Sequence, residues 1–288
     1  MALDSMQEIF DKIQAGRKPF WQVVRDTDVE ERQVTAEASF EKMHATWRAM
    51  VESVDTYRAD RRSVSGLVGG DAQRMWDYAA QQETLCGPYL QEVIATALCV
   101  AESNACMHRI VAAPTAGSAG VVPGMMLALQ ECYRISDQRI VDALFNAGAV
   151  GYLAMRNATV AGAVGGCQAE IGIASAMAAS AAVELMGGTP EQCLDAASTV
   201  LMNMLGLVCD PVGGLVEYPC QNRNAAGVAN ALIAAEISLS GIRQLIPFDQ
   251  MLDAMYAVGK RLPAELRETA LGGCATTPAA CAACGLCS

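Results

Sequence analysis

Three cysteines stand where the chain is least able to form regular structure. Cys167 follows Gly165-Gly166, and Cys209 opens the stretch CDPVGGLVEYPC, which Cys220 closes directly after Pro219. Each lies at a junction between a loop and a helix, where nearby backbone amides favour a thiolate. Three chemistries fit such a trio: a disulfide, packed thiols, or ligands to a metal centre. Three thiolates that leave a fourth position open suit a catalytic [4Fe–4S] cluster, whose unclaimed iron can act as a Lewis acid. No short C-x-x-C joins the three, so spacing alone leaves the choice open. The upstream cysteines, Cys86, Cys99, Cys106, Cys132 and Cys193, stand in helical or unremarkable contexts and read as small packed residues.

Composition narrows the options. The chain has 288 residues, is 52% hydrophobic with abundant alanine, and is only 5% aromatic. That balance favours closely packed helices over a β-sandwich. A formal charge of -11 argues against nucleic acid or an anionic membrane as a partner. The longest uncharged run, Val111 to Gln130, is broken by Pro114, Pro123 and three glycines, so no membrane span is expected. MALDSMQEIFDKI has no apolar signal-peptide core, and a cytoplasmic location is expected. In a reducing compartment twelve cysteines point to metal or redox chemistry over disulfides. The lysines are Lys12, Lys18, Lys42 and Lys260, and the glycine-rich middle has none. A Walker-type phosphate loop is therefore excluded, and pyridoxal phosphate, which needs a Schiff-base lysine, is not expected.

The elements that must hold these cysteines read as helices. Phe40, Met43, Trp47, Met50 and Val54 recur at three- and four-residue steps, which predicts an amphipathic helix. Further helices are predicted over Tyr89–Cys106, from TPEQ at 189–192 to about Leu205, and from Phe248 to near Lys260. The expectation is an all-α protein: one helical catalytic domain over 1–273 and a Cys-rich tail over 274–288. Small-residue loops intervene at SVSGLVGGD (63–71), PTAGSAGVVPG (114–124) and GAVGGCQAE (162–170). Such loops, set before helix starts, can hold a small carboxylate through backbone N–H groups.

SVSGLVGGDA, APTAGSAGVVPG, GGCQAEIG and CDPVGGLVEYPCQNRN, in that order, resemble the α subunit, or catalytic domain, of iron–sulfur-dependent bacterial L-serine dehydratases. The resemblance spans the chain from about residue 35 to LRETALGG near 273, and the CDPVGGLVE-PC-RN block is its most specific part. It implies an all-helical catalytic domain, a [4Fe–4S] cluster on Cys167, Cys209 and Cys220, and L-serine as substrate. It also implies a β portion, which is a separate subunit in some members and fused in others. The histidine-bearing GPS-S-HT segment of that portion is not found here, so a β partner is expected to complete the enzyme.

Loss of water from serine requires a better leaving group than hydroxide and a base for a weakly acidic α-hydrogen. An open iron answers the first need. For the second, His108 is the better placed of two histidines, and His44 reads as structural. Substrate contacts are expected from Ser63, Ser65 and Gly66, from Thr115, Gly117 and Ser118, and from Asn157, Arg223 and Asn224. Each of these is equally readable as a cap or turn residue. After Glu268 no side chain is charged, and Cys281, Cys284 and Cys287 form a C-x-x-C-x-x-C run with Cys274 upstream. The tail reads as a cap that brings Cys287 to the open iron, as a second cluster or zinc site, or as a disordered end, with the first preferred. Two other functions fit the same residues: a cluster lyase acting on cysteine or threonine, and an iron–sulfur electron carrier or redox sensor.

Overall fold

An alanine- and serine-rich segment, Ile173–Leu185, forms the innermost helix, and Glu184 is its one residue not fully buried. A helix apolar on every side belongs inside a protein, and short side chains let its neighbours come close. The computed structural model, which describes residues 3–284, has thirteen α-helices among those residues, twelve of them arranged around this one. In chain order these are α1 (Met6–Gly16), α2 (Phe20–Arg32), α3 (Ala36–Asp55), α4 (Asp71–Gln81), α5 (Gly87–Ala105), α6 (Val121–Tyr133) and α7 (Asp137–Asn157). They continue as α8 (Gly162–Gly165), α9 (the inner helix), α10 (Pro190–Asn203), α11 (Cys220–Leu239), α12 (Phe248–Arg261) and α13 (Pro278–Cys284). Among the described residues there is no strand beyond one isolated parallel bridge, Cys209 with Arg267. The all-α expectation is met.

Helix α9 packs on α6, α7, α10 and α11, while α5 lies between α4, α6 and α11. Two glycines set the spacing. A Cβ on Gly124 of α6 would stand 3.0 Å from Ala97 Cβ on α5, and one on Gly227 of α11 would stand 2.6 Å from Ile171 Cγ2. Larger residues at these contacts would push the helices apart. The core runs from Leu3 to Met255, with Trp47, Phe20 and Phe248 among its largest buried side chains. Full burial of each contributes roughly 1.5–3 kcal/mol. A smaller apolar cluster of Ala72, Leu98 and Cys99 lies beneath α4.

Local signals are honoured where they were strong. Thr189 and Gln192 make the reciprocal cap that opens α10, at 3.3 and 2.9 Å. That helix stops at Asn203, two residues short of the expected end, because Met204 leaves helical geometry and Gly206 takes a φ of 85°. Trp47 and Met50 of α3 are buried, as their spacing predicts. His44 stacks on Phe40 at the helix surface, which agrees with a structural role. Two cysteines depart from expectation. Cys86 and Cys132 are exposed, since one caps α5 and the other lies in the last turn of α6 on its outer side. Cys99 and Cys193 are buried as expected. The glycine-rich stretches are also more ordered than loops. Residues 116–118 form a 3-10 turn, Val121 already begins α6, and 168–172 form a single π turn leading into α9. No helix among the described residues is long and apolar enough to cross a membrane.

Candidate active site

Four junctions between helices converge on one spot. Cys167 caps the π turn between α8 and α9, and Cys220 is the first residue of α11. Cys209 is fixed on both sides of its own backbone: its N–H donates to Leu266 O at 2.9 Å, and its carbonyl accepts from Glu268 N at 2.6 Å. Between Cys209 and Cys220 the chain folds back on itself, with Val212 N donating to Tyr218 O at 2.8 Å. Gly213 and Gly214 take φ of 65° and 72°, the left-handed values this tight turn requires. The glycine pair thus sets where Cys220 stands relative to Cys209.

A carboxylate joins the thiols. Cys209 Sγ donates to Glu170 Oε2 at 3.7 Å, and Thr115 Oγ1 donates to Glu170 Oε1 at 2.9 Å. The wall behind them is Gly162, where a Cβ would stand 2.6 Å from Glu170 Oε2 and 2.9 Å from Cys209 Sγ. On the other side Arg223, one turn into α11, faces Cys167 and Cys220. Its guanidinium donates to Val208 O at 2.9 Å and pairs with Asp210 at 2.7 Å.

Burial dominates the electrostatics. It pushes the Cys167 thiol up to about 12 against the lowering effect of Arg223. Burial and then the charges of Cys167 and Glu170 push Cys220 up to about 12 as well. Cys209 is raised furthest, by burial first and then by Cys167, Glu170, Glu268 and Cys220. Glu170 is raised by burial, with Glu268 adding and Thr115 opposing. Thiols that hold their protons this strongly release them when a metal centre takes their place. Cys167, Cys209 and Cys220 are the residues able to hold such a centre, with Glu170 beside them. Among the described residues no group of three His, Cys, Asp or Glu side chains converges on a single metal ion.

The sequence-predicted contacts divide into four sets. Thr115 and Gly117 border Glu170, and Arg223 borders the thiols. Ser118 and Asn224 build the site from behind. Ser118 closes the 3-10 turn with Thr115, and the Asn224 amide donates to Gly117 O and Cys220 O and accepts from Gly120 N, all within 2.9 Å. Ser63 and Ser65 give both hydroxyls to Glu217, and Gly66 turns between them and Val68 with a φ of 77°. Asn157 instead ties the end of α7 to Asp4 O at 2.8 Å. His108 lies half-buried past the end of α5, its N–H donated to Ser103 O, and it is not among the charged groups around the thiols.

Three carboxylates escaped the sequence reading. Glu170 and Glu217 each lie three residues from a cysteine inside the quoted motifs, a spacing that could have flagged them. Glu102, 1% exposed, accepts from Gly70, Asp71 and Ala72 N–H groups and from Tyr57 Oη, and so anchors the start of α4. Of the tail, residues 273–284 form a 3-10 turn and α13, which rests on the 212–214 turn of the cysteine loop. Cys281 and Cys284 are on that helix, and Cys287 lies outside the described residues. Two cavities of about 390 and 300 Å3 run between α3 and α7 and do not include the thiols.

The structure is thus an all-helical scaffold that brings three thiols, a carboxylate and a guanidinium together. Comparison with known proteins makes this specific. The family model "Serine dehydratase alpha chain" matches residues 16–275. The probable L-serine dehydratase α chain of Bacillus subtilis is 47% identical over 89% of this chain and 85% of its own length. The L-serine dehydratase α chain of Peptoniphilus asaccharolyticus is 42% identical over 95% of this chain and 94% of its own. The L-serine dehydratase of Helicobacter pylori is 41% identical over 62% of this chain, which corresponds to 40% of that longer protein. The chain belongs to the serine dehydratase α-chain family, a family of lyases.

Proposed function

We propose that this chain is the catalytic α chain of an L-serine dehydratase that converts L-serine to pyruvate and ammonia. We assign Cys167, Cys209 and Cys220 as the ligands of a [4Fe–4S] cluster. The reading rests chiefly on the meeting of these three thiols, one from the α8–α9 junction and two from the ends of the 209–220 loop, beside Glu170 in a chain of this family. Three thiolates suit a core of several irons, each thiolate taking its own iron and one iron left open.

When bound, the cluster would supply an open iron acting as Lewis acid on the β-hydroxyl. The chain's own residues do the rest. Glu170 accepts from Thr115 at Oε1 and from Cys209 at Oε2, and burial strengthens its hold on a proton, which places a proton donor or acceptor beside the Cys209 ligand. The Arg223 guanidinium offsets the negative charge of the Cys167 and Cys220 thiolates and favours a carboxylate nearby. Water leaves as the Cα–H and Cβ–O bonds break, and the enamine formed tautomerises and hydrolyses to pyruvate and ammonia.

Relatives designated α chains imply a β chain. We assign to that partner the group that takes the α-hydrogen, since His108 is not among the groups at the thiols. The test is anaerobic reconstitution of the α chain, followed by iron analysis, spectra with and without L-serine, and ammonia release with and without the β chain. About four irons per chain, a serine-dependent spectral change and β-dependent turnover are expected. Absence of retained iron, or no turnover of L-serine with the β chain present, overturns the assignment. L-threonine and L-cysteine run in parallel decide the leaving group.

A further inference from the structure

Asp210 stands between the C-terminal segment and the thiols. It is 1% exposed and makes two contacts, one through each carboxylate oxygen. Oδ2 accepts the Cys274 N–H at 2.6 Å, and Oδ1 pairs with Arg223 Nη2 at 2.7 Å. Gly273 closes over it: this residue has a φ of 61°, and a Cβ there would collide with the Asp210 carboxylate. Arg223 in turn faces Cys167 and Cys220, and the neighbouring Cys209 is bridged through its backbone to residues 266–268. The segment that follows α12 therefore meets the cysteine loop at two adjacent residues, once through backbone and once through a buried charge. A buried carboxylate is stable only with its partners in place, so loss of one contact weakens the hold on the other.

We propose that Asp210 is a positioning residue that couples the seating of residues 273–284 to the placement of Arg223 against Cys167 and Cys220. Seating of the segment holds the carboxylate, the carboxylate holds the guanidinium, and the guanidinium shields two thiols. Release of the segment frees Arg223 and opens those thiols to solvent. This inference takes from the proposed function only the importance of the three thiols, and its decisive measurements need no metal.

The test uses the full-length metal-free chain and three variants: Asp210→Asn, Gly273→Ala, and the double substitution. Hydrogen–deuterium exchange is followed over 273–284, and the alkylation rate of each cysteine is read by mass spectrometry. The expected result for Asp210→Asn is at least fivefold faster exchange over 273–284, with at least fivefold faster alkylation of Cys167 and Cys220. Gly273→Ala, which touches neither Arg223 nor a thiol, reproduces both effects. The double variant adds nothing further, because both changes open the same clamp. Cys99 and Cys193, buried elsewhere, keep their wild-type rates. Faster exchange without faster alkylation of Cys167 and Cys220 overturns the coupling, as does an additive double variant. A general rise that includes Cys99 and Cys193 also overturns it, since that reports unfolding. Iron uptake by the wild-type chain is measured separately and bears on the proposed function alone.

Discussion

Ser63 Oγ donates to Glu217 Oε2 at 2.5 Å, although 154 positions separate them in the chain. Ser65 gives its hydroxyl to the same oxygen, and Glu217 is 5% exposed. This one carboxylate fastens the 63–71 loop to the loop that carries Cys209 and Cys220. The two serines, which the sequence offered as substrate contacts, are turned inward by it. Glu217→Ala leaves two hydroxyls without their acceptor and is expected to destabilise the chain by about 2–4 kcal/mol. Glu217→Gln keeps an acceptor and is expected to cost less than half of that. Urea unfolding of both variants checks the difference, and equal losses would mean that the carboxylate merely fills space.

Gly162 is the wall behind Glu170 and Cys209, and its hydrogen cannot be replaced by a methyl without contact at 2.6 and 2.9 Å. Gly162→Ala is expected to cost about 1–3 kcal/mol in stability. It should also lower L-serine turnover by at least tenfold, because the carboxylate and the thiol are the groups displaced. Calorimetry and initial rates on the same preparation test this. A full-activity variant would show that Glu170 and Cys209 can move apart without consequence.

Replacement of Cys167, Cys209 or Cys220 by serine is expected to abolish iron retention after reconstitution, with a far-ultraviolet spectrum like that of the wild type. Cys86→Ser and Cys132→Ser, at exposed positions, are expected to bind iron normally. Iron and sulfide analysis of the five variants gives the answer. Normal iron in any of the first three would remove that residue from the ligand set.

Stability should fall between acid and neutral pH through Glu184. Its carboxylate accepts from Trp21 N at 3.0 Å and Asn146 Nδ2 at 2.8 Å, yet burial, aided by Asp142, pushes it up to about 7. In the unfolded chain it titrates near the ordinary value of 4.5. The folded state therefore binds the proton more tightly, and this stabilisation is complete below the unfolded value and lost as pH rises through about 7. The loss is of the order of 3 kcal/mol. Glu184→Gln is expected to flatten that part of the profile, as followed by denaturant midpoints from pH 4.5 to 8. An unchanged slope would assign it to other groups.

The sequence by itself determined the helices and the identity of the thiol-bearing loops. Periodicity in α3, the Thr189–Gln192 cap and the glycine and proline pairs act over a few residues, so they are legible in order along the chain. The motifs around Cys167, Cys209 and Cys220 likewise marked the candidate site, and they lie within the family match. What only the tertiary structure decided is which charged groups face those thiols. Glu170 meets Cys209 from the π turn, Arg223 lies near Cys167 and pairs with Asp210, and the Asp210 carboxylate is itself covered by Gly273. These contacts join residues tens of positions apart, and no local preference specifies them. They exist because the packing of α9 against α10 and α11 brings separate helix ends to one place, where buried charges must find partners.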